Sequence, residues 1–223
     1  MVLVTCTPTL AAPRQAALIV DANNGQTLYE HSADTRVYPA SLTKLMTLYL
    51  VFEALDQRRL HWRSRIRMSE EAASRPPSKL GVRPGETLTV DQAIRALIVK
   101  SANDVAAAVA EHMAGSEPAF ARHMTRKARS LGMHHTVFRN ASGLPDRRQT
   151  TTATDMARLA LRLHDEFPHY FRLFSLKRFV FRGRVYTTHN GLLRHFPGTD
   201  GMKTGYIRAS GFNLVTSVRR GPR

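Results

Sequence analysis

The stretch SLTKLMTLYLVFEAL, residues 41–55, is mostly apolar and contains neither glycine nor proline. A surface helix carries an apolar stripe with polar residues opposite, whereas a helix that is apolar all round has to be covered on every side. The stretch therefore predicts a buried helix. Near its start stand Ser41 and Lys44, three positions apart. On a helix, residues i and i+3 share a face, with Cβ atoms roughly 5–6 Å apart. A serine is also a good helix N-cap, so the pair alone does not decide between capping and chemistry.

The rest of the chain is punctuated by turn and cap residues. AALIVDANNGQTLYEH, 16–31, places an Asn-Asn-Gly turn between two apolar runs and predicts a hairpin. Residues 57–89 are basic, then broken by proline and glycine, and read as loops. Residues 89–115 have helical composition with an interruption at Ser101 to Asp104, which predicts two helices meeting there. A further helix is expected over 118–132, and Thr152 with Asp155 has capping-box spacing for another, through about His164. After residue 177 the pattern alternates around Gly183, and again on both sides of Ser210 and Gly211. Strands at both ends and helices between predict an α/β fold. Its antiparallel sheet would be built from the two chain ends and flanked by helices, with an all-helical insertion over about 62–155.

The charge balance narrows the partners. There are 33 Lys and Arg against 17 Asp and Glu, a formal net charge of +16. Such a surface attracts nucleic acid, anionic lipid or an acidic envelope polymer, and an arginine-rich proteome would give the same balance. No aromatic–basic interleaving, zinc spacing or recognition-helix signature accompanies it, so no nucleic acid is expected. The histidines His112, His134 and His135 have no ligand set around them, so no metal is expected. MVLVTCTPTLAA, residues 1–12, is too short to span a bilayer and ends in small residues before Pro13. It reads as the tail of a secretory signal. The expectation is an exported protein, in the periplasm or on the outer face of the cytoplasmic membrane, with residues 13–223 as one domain. Cys6, the single cysteine, cannot form an internal disulfide.

Three short motifs follow one another: Ser41-Leu42-Thr43-Lys44, Ser101-Ala102-Asn103 and Lys203-Thr204-Gly205. Each alone is weak, since caps and a basic hairpin turn would use the same residues. Together, in this order, they are the set shared by class A β-lactamases and penicillin-binding proteins. A serine is a poor nucleophile without a base in hydrogen-bond reach. Lys44 can be that base only when neutral, so burial in the apolar helix and the positive charge of Lys203 would have to lower its proton affinity. The helix N-terminus would favour negative charge developing at Ser41.

With YPASLTKLMT, SANDVA, NASGLPD followed by TTATDMA, and HNGLL through DGMKTGY to GFNLV, the chain resembles a known family. It is that of the serine D-Ala-D-Ala carboxypeptidases, the low-molecular-mass penicillin-binding proteins of peptidase family S11. The likeness runs from about residue 16 to the end. It implies acyl transfer: Ser41 attacks the penultimate D-Ala of a peptidoglycan stem peptide, D-Ala leaves, and water hydrolyses the acyl-enzyme. β-Lactams, which imitate the D-Ala-D-Ala end, would acylate the same serine, and no cofactor or metal is implied. By the same resemblance Ser101 relays a proton to the leaving group and Asn103 holds the substrate backbone. Lys203 and Thr204 would take the terminal carboxylate. Gly205 would let an extended substrate approach the backbone. The N–H groups of Tyr206 and Ser41 would form the oxyanion hole.

The motifs do not separate a carboxypeptidase from a D-Ala-meso-diaminopimelate endopeptidase of the same family. A class A β-lactamase adds a Glu-x-x-Leu-Asn loop, which is absent between Asn103 and Lys203. From another functional class, a basic wall-binding protein without activity would keep the charge and lose the chemistry. The chain departs from the family in two places. His189 stands where some relatives carry an arginine, and the sequence ends at Arg223, so the last strand and helix and a C-terminal β domain are expected to be missing.

Overall fold

The computed structural model describes residues 15–221. The expected signal segment, residues 1–12, and Cys6 lie outside them. The first hairpin pairs β1 (Ala17–Val20) with β2 (Thr27–His31) across the Asn-Asn-Gly turn. A 3-10 turn, Ala40–Leu42, then leads into the central helix α1 (Thr43–Asp56). Every residue of α1 except Glu53 and Asp56 is buried, as its apolar composition requires. Phe52 on α1 packs against Phe167, Tyr170 and Phe174. Each such large side chain contributes roughly 1.5–3 kcal/mol by leaving water.

The segment read as loops contains short elements: β3 (Arg65–Arg67), α2 (Glu70–Ser74) and β4 (Thr87–Thr89). β3 and β4 pair antiparallel, so the insertion expected to be all-helical also holds a two-stranded ladder. Three-residue strands carry too little alternation to be legible. α3 (Val90–Arg95) opens on a Thr89–Gln92 capping box and runs into a π turn, Ala96–Lys100. The chain then reverses at Ser101, at φ 58, and α4 (Asn103–Ala114) begins. That reversal is the helix break expected from the sequence.

α5 (Glu117–Ser130) is capped by Ser116 and α6 (Ala153–Glu166) by Thr152. The Thr152 cap is one-sided. The Asp155 carboxylate accepts from the His135 N–H and the Thr136 hydroxyl instead of reaching back. Beyond it come α7 (Pro168–Phe171), a 3-10 turn, the hairpin of β5 (Arg178–Phe181) and β6 (Arg184–Thr187), and α8 (Leu192–His195). The last hairpin pairs β7 (Thr199–Ile207) with β8 (Gly211–Val218).

All four ladders among the described residues are antiparallel and two-stranded. The first and last hairpins are hydrogen-bonded within themselves and not to each other, which refines the expected single sheet. Helix α6 packs against both β1 and β8 and joins them through side chains. α1 is flanked by α4, α5 and α6, and β7 lies beside the 3-10 turn that carries Ser41. No helix among the described residues is long and apolar enough to cross a membrane.

Candidate active site

Ser41 is not a helix cap. It sits within the 3-10 turn, and neither that turn nor α1 has a side-chain cap. Its neighbour Ala40 adopts φ 47, a conformation that costs a non-glycine residue about 1 kcal/mol or more. Two glycines press on this turn. A Cβ on Gly205 would stand 2.9 Å from the Ser41 nitrogen, and one on Gly143 equally near it and still closer to the Ala40 carbonyl. Gly205 is thus required by the backbone of Ser41. This packing is a second reason for the glycine beside the expected one, room for an extended substrate. Gly143 was missed by motif reasoning, although it lies in the NASGLPD stretch.

Lys44 is fully buried and its Nζ has three partners. It lies 3.3 Å from Ser41 Oγ, 2.8 Å from Asn103 Oδ1 and 2.5 Å from the Ser142 carbonyl oxygen. The Asn103 amide is oriented by its other end, since Nδ2 donates to the Pro76 carbonyl at 3.0 Å. Both Asn103 Oδ1 and Ser142 O can only accept. A neutral Lys44 therefore commits its two N–H groups to them and turns its lone pair toward the Ser41 hydroxyl. That is the arrangement a base needs.

Burial lowers the proton affinity of Lys44 well below that of an ordinary lysine, and the nearby Lys203 lowers it further. The carboxylates of Glu117 and Asp104 act in the opposite direction. Lys203 is itself buried on β7 and its pKa is pushed down to about 7 by loss of hydration. Its Nζ donates to the Thr204 carbonyl at 2.9 Å. A lysine poised there takes up a proton readily when an anion approaches.

The remaining expected residues take different positions. Ser101 lies two residues before Asn103, in the left-handed turn, with a buried hydroxyl that has no hydrogen-bond partner among the described residues. Thr204 is partly buried on β7 beside Lys203. The Tyr206 ring is exposed and rests on Phe212, so only its backbone is left to serve the site. His189 lies at the surface, and partial loss of hydration of its ring, with the charges of Lys203 and Lys100, lowers its proton affinity. Sequence reasoning missed Ser142, which acts through a backbone carbonyl, and Glu117, whose partners Arg75 and Ala141 are distant in the chain.

The comparisons with known proteins agree in one direction. Residues 4–223 match the family described as D-alanyl-D-alanine carboxypeptidase, peptidase family S11. The chain is 34% identical over 224 residues to the D-alanyl-D-alanine carboxypeptidase DacF of Bacillus subtilis, covering 96% of this chain and 56% of that protein. The chain spans about half the length of the curated relatives it matches. Among solved structures it resembles the D-alanyl-D-alanine carboxypeptidase DacD of Francisella tularensis, with a TM-score of 0.90, 30% identity, and coverage of 99% of this chain and 65% of that one. It also resembles the cefotaxime-bound form of penicillin-binding protein D2 of Listeria monocytogenes, with a TM-score of 0.83, 30% identity, and coverage of 96% and 88%. The α/β fold expected from the sequence is the fold of these structures.

Proposed function

Because the chain belongs to the D-alanyl-D-alanine carboxypeptidase family, peptidase family S11, we propose that it is a serine carboxypeptidase that removes the terminal D-Ala of peptidoglycan stem peptides. The observation that carries this reading is the environment of Lys44, whose Nζ lies 3.3 Å from Ser41 Oγ and against two pure acceptors, Asn103 Oδ1 and the Ser142 carbonyl, so that in the neutral amine the lone pair is left for Ser41.

In this reading Ser41 Oγ bonds to the carbonyl carbon of the penultimate D-Ala and its proton passes to Lys44. The oxyanion lies at the N–H groups of Ser41 and Tyr206. The C–N bond then breaks, and the amine of the departing D-Ala takes a proton through Ser101. Water, with Lys44 again the base, hydrolyses the ester and frees Ser41. The terminal carboxylate of the substrate sits at Lys203 and Thr204. An anion there favours the ammonium form of Lys203, which lowers the proton affinity of Lys44 as the substrate binds. Asn103 presents its amide to the substrate backbone from the same position in which it orients Lys44.

β-Lactams act on this reading as stand-ins for the D-Ala-D-Ala end and acylate Ser41. Peptidoglycan lies outside the cytoplasmic membrane, so the reading carries an exported protein with it. The +16 balance suits an anionic wall or membrane surface. The test is intact mass after mixing with benzylpenicillin, beside a Ser41→Ala control checked for folding by circular dichroism. A persistent adduct lost in the control supports the reading. No adduct on the folded wild type refutes it, and rapid drug consumption through a transient adduct would make the protein a β-lactamase. Release of D-Ala from a monomeric pentapeptide, against cleavage of a crosslinked dimer, separates carboxypeptidase from endopeptidase.

A further inference from the structure

Glu117 lies at the start of α5, away from all three motifs, and is only 6% exposed. Its Oε1 accepts the Ala141 N–H at 2.9 Å and its Oε2 receives Arg75 Nη2 at 2.8 Å. Each partner is one residue from a carbonyl that shapes the candidate site. Ala141 precedes Ser142, whose carbonyl holds Lys44 at 2.5 Å. Arg75 precedes Pro76, whose carbonyl holds Asn103 Nδ2 at 3.0 Å. Asn103 Oδ1 returns to Lys44 at 2.8 Å and closes the circuit. The bonds therefore form a ring: Lys44, Asn103, Pro76, Arg75, Glu117, Ala141, Ser142, and Lys44 again.

We propose that the Arg75–Glu117 ion pair is the positioning element of this site, tying the 75–78 and 140–143 loops together so that Lys44 is held with its lone pair on Ser41. The proposal rests on the acyl-transfer reading for its consequence, but the ring exists without it. The two loops approach Lys44 from different parts of the chain, and Glu117 bridges them, through Arg75 on one side and the Ala141 N–H on the other. It also sets the charge near the base. Lys44 is faced by Lys203 on β7, by Asp104 on α4 and by Glu117 on α5, of which Glu117 and Asp104 strengthen its hold on a proton. Arg75 offsets the Glu117 charge, and its Nη2 is shared with the exposed Glu71 of α2, 2.7 Å away.

The two halves of the pair consequently have opposite electrostatic effects. Glu117→Gln keeps an oxygen for the Ala141 N–H but removes the negative charge, so Lys44 loses its proton at lower pH. Arg75→Met removes the offsetting positive charge, so Lys44 loses its proton at higher pH. Acylation needs neutral Lys44, and the rising limb of its pH profile moves down in the first variant and up in the second. Glu117→Ala removes the acceptor as well, and an ångström of displacement in the loop would slow acylation by about 100-fold.

The experiment measures the rate of benzylpenicillin acylation against pH for wild type, Glu117→Gln, Glu117→Ala and Arg75→Met, with thermal melts beside it. Titration of lysine 13Cε resonances, with Lys44→Arg for assignment, reads Lys44 directly in the same proteins. Opposed displacements of the limb and of the Lys44 titration support the proposal. Unmoved limbs and titrations in variants that melt lower would show a merely structural pair and overturn it, as would displacements of the same sign. If the wild type is not acylated at all, the acyl-transfer reading fails, and the Lys44 titrations still decide the positioning role.

Discussion

The Ala40 carbonyl oxygen occupies the space where a side chain on Gly143 would begin: a Cβ built there would lie 1.8 Å from that oxygen and 2.3 Å from its carbon. Gly143 also adopts φ +86. Backbone on both sides of the contact leaves nothing flexible to yield. Gly143→Ala should therefore destabilise the fold by more than about 3 kcal/mol, as expected when a positive φ and a backbone clash coincide. Urea denaturation of the variant would measure it, and a loss below 1 kcal/mol, again on the order of an ordinary surface change, would show that the 140–143 loop is free to move.

Gly205 meets the same turn from the other side, but less tightly. Its φ is not in the left-handed region, and the contact to be relieved is 2.9 Å to the Ser41 nitrogen and 3.2 Å to the Ala40 Cβ. A small withdrawal of β7 relieves both. Gly205→Ala should fold with a modest loss of stability, yet the withdrawal separates Lys203 and the Tyr206 N–H from Ser41. A fall in acylation of about 100-fold is expected. Acylation at the wild-type rate would mean that β7 does not contribute to the site.

Much of the candidate site was legible because its side chains lie in short local runs. Ser41 and Lys44 are one helical turn apart, and the reversal at Ser101 shows as a break in an otherwise helical composition. What escaped was carried by backbone or by distant pairs. Ser142 offers a carbonyl that any residue would possess, and Gly143 matters for the space it leaves. Arg75 and Glu117 meet only once the chain is folded. The same holds for the fold. The long apolar helix and the two terminal hairpins follow from periodicity and turn residues, whereas β3, β4 and the short helices α7 and α8 are too brief for a period to register. The separate bonding of the first and last hairpins depends on which strand lies beside which, a property of the whole chain.

Asp104 gives a prediction about stability outside the acylating residues. It is fully buried at the start of α4, and its carboxylate accepts the N–H groups of Leu80, Gly81 and Val105. Asp104→Ala orphans three backbone donors, two of them in the loop that also carries Ser78 toward Asn103. At about 1–3 kcal/mol for each unsatisfied group, a loss of several kcal/mol is expected. Asp104→Asn retains one oxygen and should recover a good part of it. A chemical melt of the two variants tests this, and equal stability of alanine and asparagine would remove the role of the carboxylate as an acceptor.

The last prediction concerns pH. Lys203 has its pKa pushed down to about 7 by burial, against the ordinary lysine value in the unfolded chain. Between those two values the unfolded chain holds a proton that the folded protein lacks, so stability rises with pH across that window. Lys44 contributes in the same direction because its proton affinity is lowered too. Below the folded value both states are protonated and this dependence vanishes. The tyrosines bound the window from above. Tyr170, raised to about 12 by burial and by its bond to Asp56, and Tyr49, raised by burial and Glu166, keep their protons in the folded state, which reverses the slope above about pH 10. Urea midpoints should therefore climb between pH 7.5 and 9.5 by these arguments, with Lys203 supplying up to about 1.4 kcal/mol per pH unit. In Lys203→Met the climb should be shallower and the stability at pH 7.5 higher, because a hydrated ammonium no longer has to be stripped of water. Parallel curves for the two proteins would show that Lys203 titrates alike folded and unfolded, and that it is better hydrated than its place on β7 implies.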